Sequence, residues 1–142
     1  MNSIKSTHLY NNVLKELTYS FGNVFIFKGY VISEINEGII FTWEHHAKQI
    51  VDDVSTFLST DGNDVVYISH RINSYAVKPN DWLKFFTHSY GLKGYGVVGY
   101  TQGSVLNTVI ENLFFNKKIK RFNSIDAAIQ WATDIILAEV DN

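Results

Sequence analysis

Residues 65 to 75 read VVYISHRINSY, and the fold turns on how that run is read. Val65, Val66, Tyr67 and Ile68 are consecutive apolar residues behind the turn cluster Asp61-Gly62-Asn63-Asp64. A short β-branched and aromatic run bounded in this way reads as a strand. It does not alternate with polar residues, so both of its faces need cover, which is the situation of a central strand in a parallel sheet. The polar run that follows (Ser69, His70, Arg71, Asn73, Ser74, Tyr75) reads as a loop at the carboxyl end of that strand. α/β folds usually place their ligands at such loops.

Upstream of this strand, ELTYSFGNVFIFKGYVISEI (16–35) is dense in β-branched and aromatic residues, with turn positions at Gly22-Asn23 and Lys28-Gly29. The expected element is one β-hairpin. Thr42 then reads as an N-cap with Glu44 in the first turn, ahead of a helical stripe at Trp43, Ala47, Ile50, Val51, Val54, Phe57 and Leu58. His45, His46, Lys48, Gln49, Asp52 and Asp53 fall on its solvated face.

Downstream, Pro79 opens a short helix carrying Trp82, Leu83, Phe85 and Phe86, and Gly91 closes it. KGYGVVGY (93–100) reads as a second inner strand. Ser104 caps a helix with its stripe at Val105, Leu106, Val109, Ile110, Leu113 and Phe114, and Lys118 to Phe122 reads as a charged edge strand. Ser124 caps a last helix that buries Ile125, Ala128, Ile129, Ala132, Ile135 and Ile136.

Strands separated by helical crossovers imply an α/β domain: a mixed, mostly parallel sheet with an N-terminal β-hairpin and about four helices. No repeat or linker divides residues 1–142, so a single domain is expected, with the polar residues 1–12 as a flexible N-terminal segment. The 142 residues are 46% hydrophobic and 18% charged, which excludes a disordered chain. A net charge of -2 gives no overall attraction to nucleic acid or anionic lipid. With no cysteine, thiolate chemistry and cysteine-held metals are excluded. No apolar run approaches the ~18 residues of a membrane span. The expected location is the cytoplasm.

EINEGIIFTWE (34–44) leading into the first helix, VYISHRINSY (66–75) and LFFNKKIKRFNSIDAAIQWA (113–132) together resemble the SpoIIAA-like branch of the STAS family. The resemblance runs from about Leu14 to Leu137. It implies a non-catalytic domain that acts by binding another protein. In the anti-sigma antagonists of that family a serine in the loop after the central strand is phosphorylated, and Ser69 and Ser74 lie in the corresponding loop. The family's Asp-Ser-Ser/Thr-Gly-Leu signature is absent from this chain. The same group is similar in architecture to lipid carriers, which implies a small apolar ligand as the alternative.

The residues themselves offer several candidate sites. Ser69 and His70 adjoin as a nucleophile and base would, but on a continuing strand neighbours point to opposite faces, and no G-x-S-x-G elbow is present. Arg71, Asn73 and Ser74 can bind an anion or a partner's carboxylate, or instead bond the loop's own backbone. Gly94 to Gly99 spells G-x-G-x-x-G inside a strand, where its glycines admit a helix close to the sheet and hold no phosphate. His45 and His46 lack the spacing of a metal pair.

Trp82, Phe85, Phe86 and Tyr90 are core packing or, alternatively, the lining of an apolar pocket. Lys117, Lys118, Lys120 and Arg121 read as a solvated edge that deters sheet pairing. The expectation is a protein-binding module with no catalytic residues, metal or cofactor. An unknown protein is the expected partner, a small hydrophobic ligand the alternative and an enzyme the third choice. The edge strand leaves a homodimer open.

Overall fold

A computed structural model describes residues 2–59, 64–73, 75–77, 93–99 and 119–140. Their frame is a six-stranded mixed sheet in the order β1-β2-β3-β5-β7-β8. Strands β1 (Lys15–Tyr19), β2 (Gly22–Ile26) and β3 (Tyr30–Ile35) form an antiparallel meander, and β3, β5 (Val66–Arg71), β7 (Gly94–Gly99) and β8 (Ile119–Phe122) run parallel. β4 (Ile40–Phe41) and β6 (Ala76–Val77) pair separately as a short parallel ribbon.

The aromatic stretch expected to be one hairpin therefore makes three strands. The first corner falls on Ser20-Phe21, just before the expected Gly22-Asn23, which open β2, and the second falls at the expected Lys28-Gly29, where Gly29 supplies a positive φ of 87°. β5 has neighbours on both sides, as its unbroken apolar run requires, and β8 lies at the sheet edge.

Alternation along each strand divides the interior into two layers. Val24, Ile26, Val31, Ile35, Tyr67, Tyr95 and Val97 face the first layer, closed by Trp43, Ala47, Ile50 and Val54. Phe25, Phe27, Ile32, Val66, Ile68 and Val98 face the second, closed by Ala128 and Ala132. Each fully buried Ile or Phe contributes about 1.5–3 kcal/mol, and these two layers hold the helices against the sheet.

Two α-helices are described, α1 (Lys48–Leu58) and α2 (Ile125–Val140). The helices expected from Pro79 and from Ser104 lie outside the described residues. The Thr42 hydroxyl accepts from the His45 N–H at 3.1 Å, as expected of the cap. The first turn, Trp43–Ala47, is wound as a π-turn, with the Ala47 N–H bonded to the Thr42 carbonyl at 3.0 Å. α1 ends on Ser59, a non-glycine residue at φ 54°. Phe57, expected in the buried stripe, is 45% exposed. It sits in the last turn, beyond the buried positions Ile50 and Val54.

α2 begins at the Ser124 hydroxyl, which accepts from the Ala127 N–H. It packs tightly over β7. A Cβ on Gly94 would lie 2.9 Å from Trp131, and one on Gly96 would lie 3.0 Å from the same indole. Gly94 and Gly96, the first two glycines of G-x-G-x-x-G, thus make room for a helix. Within the N-terminal segment 1–12, Ile4–Ser6 and His8–Asn12 form 3-10 turns and Ile4 is fully buried. The polar composition of residues 1–12 conceals a plug, Ile4, inserted in the second layer with Phe25 and Phe27, and Leu9 packs against the same layer.

Candidate functional site

The carboxyl ends of β3 and β5 are the centre of interest. Ser69, His70 and Arg71, expected in a loop, are part of β5 and buried, at 1%, 1% and 8% exposure. The reason is register: Ser69 pairs with Ser33 of β3 and with Val97 of β7, and Arg71 still pairs with Gly99, so sheet bonding carries the backbone past the apolar run. The loop starts at Ile72, whose N–H bonds the His70 carbonyl at 3.0 Å.

On the first face, the Ser69 hydroxyl is 2.8 Å from the Tyr75 hydroxyl, and the Arg71 guanidinium lies 4.5 Å from the centre of the Tyr75 ring. Tyr67 and Tyr95 stack beside them with centroids 5.2 Å apart. Burial pushes the ionisation of both phenols well above the ordinary tyrosine range, so each stays a neutral O–H. This end of the first layer is a packed group of hydroxyls and aromatic rings around one guanidinium.

On the opposite face, Glu34 gathers donors from segments far apart in the chain. Its Oε1 accepts from the Ser3 hydroxyl at 2.6 Å, and its Oε2 accepts from the Ile4 N–H at 2.8 Å. His70 Nδ1 lies 2.9 Å from the same Oε2. A carboxylate only accepts, so Nδ1 carries the hydrogen in this contact. Ser69 and His70 consequently point away from each other, as alternation along a strand demands, and the structure does not bring them together as nucleophile and base.

Neither a scan against protein-family models nor a search of curated proteins gives a match.

Above these buried groups two segments form the rim. Residues 36–42 follow β3 and, of the residues after β5, 72, 73 and 75–77 are described; the two segments are joined by the β4–β6 ribbon and by the Ala76 N–H to the Ile39 carbonyl at 3.0 Å. The Asn73 side-chain amide donates to the Ile35 carbonyl at 3.1 Å, so Asn73 bonds main chain within the protein. Asn36, Glu37 and Ile40 are exposed on the rim, Ile40 at 57%. Ser74 and the four aromatics Trp82, Phe85, Phe86 and Tyr90 lie outside the described residues.

His46, expected on a solvated face, is half-buried instead. It packs against Phe21 and Phe41 at 4.7 and 5.3 Å between ring centres, and its Nδ1 accepts from the Thr42 N–H at 2.9 Å. Burial, then the neighbouring His45, lowers its proton affinity below the ordinary histidine range. Among the described residues no group of three or more acidic or histidine side chains is placed to hold a metal, and no helix is long and apolar enough to cross a membrane.

The sequence reading missed Glu34. Its signal is in YVISEI (30–35): Glu34 shares the parity of Ile32, so a strand buried on both faces must bury this acid. Nothing in the sequence marks Ser3 and Ile4 as its partners, because they lie 31 and 30 residues away.

Proposed function

We propose that this chain is a non-catalytic, STAS-like binding module that acts through protein contacts made by the rim segments 36–42 and 72–77. One observation carries the reading. The reactive side chains at the end of β5 are turned to opposite faces of the sheet and engaged internally, Ser69 with Tyr75 and His70 with Glu34. A nucleophile needs its base within hydrogen-bond reach and a substrate beside both, and a strand that separates Ser69 from His70 supplies neither. The buried groups then serve to fix the rim, whose exposed face offers Glu37 and Ile40 to a partner. This is also what the resemblance of residues 66–75 to the STAS pattern implies.

The test is affinity capture from the host lysate with wild-type protein, with Ile40→Asp and Glu37→Lys on the rim, and with Lys28→Glu as a substitution away from it. A partner retained by wild type and Lys28→Glu but lost from both rim variants supports the proposal. A partner held equally by all four, or none held by any, refutes it.

A further inference from the structure

We infer that residues 3–12 are a strap that controls the rim segment 72–77, the two being joined through Glu34 and His70; this rests on the reading of that rim as the binding surface. The strap is attached in two places of different character. At the surface, the Lys5 ammonium meets Glu16 at 2.9 Å and the Tyr10 hydroxyl donates to the same carboxylate at 2.5 Å. In the interior, Ser3 and the Ile4 N–H bond Glu34 while the Ile4 side chain fills the second core layer.

Glu34 is the point where strap and rim meet. The oxygen that accepts the Ile4 N–H is the one facing His70. From His70 the chain passes directly into the rim, since the Ile72 N–H bonds the His70 carbonyl. A second connection runs beside it: Asn73 donates to the carbonyl of Ile35, the residue next to Glu34. Ile72 and Asn73, the first two residues of the rim segment, are therefore tied to the same pair of strand ends that anchor the strap.

Physical chemistry makes the linkage reciprocal. When the strap leaves, the buried Glu34 side chain loses two donors, and its oxygens recover partners only by drawing in water or by shifting against His70. Either response disturbs the strand ends that hold Ile72 and Asn73. A partner that rearranges residues 72–77 would equally weaken the strap, because coupling between two binding events acts in both directions. The outer tie joins Lys5, whose side chain is 45% exposed, to Glu16 on the edge strand β1, with β2 and β3 between that strand and β5, so its loss should reach the rim least.

Native-state hydrogen exchange on the full chain tests this without any partner, so that its failure is distinct from failure of the capture experiment. Ile4→Ala should accelerate exchange about tenfold or more in residues 3–12 and about threefold or more in residues 72–77, while α1 keeps its wild-type rates, the pattern of a local opening unit. Lys5→Ala should loosen the strap's outer turns and leave 72–77 unchanged. In a Glu34→Gln background the rim should already exchange faster, and Ile4→Ala should add nothing further there. If Ile4→Ala does not fold, Ser3→Ala, which removes the bond to Glu34 and the cap on the Lys5 N–H but leaves the Ile4 side chain in place, should give the same pattern at smaller amplitude. Acceleration confined to the strap, or a uniform rise that includes α1, overturns the inference.

Discussion

Replacing Gly94 by alanine probes the closest approach in the fold. The added Cβ would lie 2.9 and 3.1 Å from two atoms of the Trp131 indole and 3.5 Å from Ile135 Cδ1. An indole is rigid, so both short contacts are relieved only by moving the whole ring. Phe122, with its ring centre 5.2 Å from that of Trp131, stands on one side of it. Overpacking of this kind costs about 1–3 kcal/mol. The alanine restricts the unfolded chain and returns about 0.4–1 kcal/mol, which leaves a net loss of roughly 1–2 kcal/mol. With a urea slope of about 2 kcal/mol/M, the unfolding midpoint should fall by roughly 0.5–1 M.

The decisive measurement is a double-mutant cycle. Trp131→Phe destabilises by itself but shortens the ring system facing Gly94, so in that background Gly94→Ala should cost at least about 0.5 kcal/mol less than in wild type. Urea titrations followed by circular dichroism give all four stabilities. Additive costs, or a Gly94→Ala protein as stable as wild type, would show that α2 does not rest on this glycine.

Other expectations follow from single contacts. Glu34→Ala leaves the Ile4 N–H and the His70 ring without their shared acceptor inside the protein, and should cost about 3 kcal/mol or more in chemical denaturation; a loss under about 1 kcal/mol contradicts the buried network. His46 holds its proton less readily in the folded state than in the unfolded chain. The stability this contributes is therefore present above the ordinary histidine range and lost as pH falls through it, so His46→Leu should flatten part of the decline in melting temperature between about pH 7 and pH 5. An unchanged slope would remove His46 from that account. Ser59→Gly should raise stability by about 0.5–1 kcal/mol, because glycine takes the left-handed end of α1 without the steric cost a serine carries. Tyr19→Phe, which removes the 2.6 Å bond to Asp53, should cost about 1 kcal/mol, readable as a lowered melting temperature.

Much of the frame was legible before any coordinates. The unbroken run Val65–Ile68 required two neighbouring strands, and β5 has them. Thr42 and Ser124 marked helix starts because a side-chain oxygen at those positions satisfies an N–H that the helix itself leaves open. The glycines of β7 were read as space for a helix, and Trp131 fills it. The division of residues 15–35 into three strands was less legible, since two adjacent turn signals fit either a hairpin with a bulge or a meander.

The site was legible only in part. Position in the chain placed Ser69, His70 and Arg71 in a loop directly after the central strand rather than within it, and alternation separates Ser69 from His70 once the strand is seen to continue through them. Burial of all three, however, depends on how far the neighbouring strands extend, and that is set by β3 and β7 rather than by residues 69–71. The partners of His70 are still further removed. Local pattern determines helix, strand and face because those depend on residues a few positions apart. The meeting of Ser3, Ile4, Glu34 and His70 is decided only when the sheet is assembled and the first residues of the chain are laid across it.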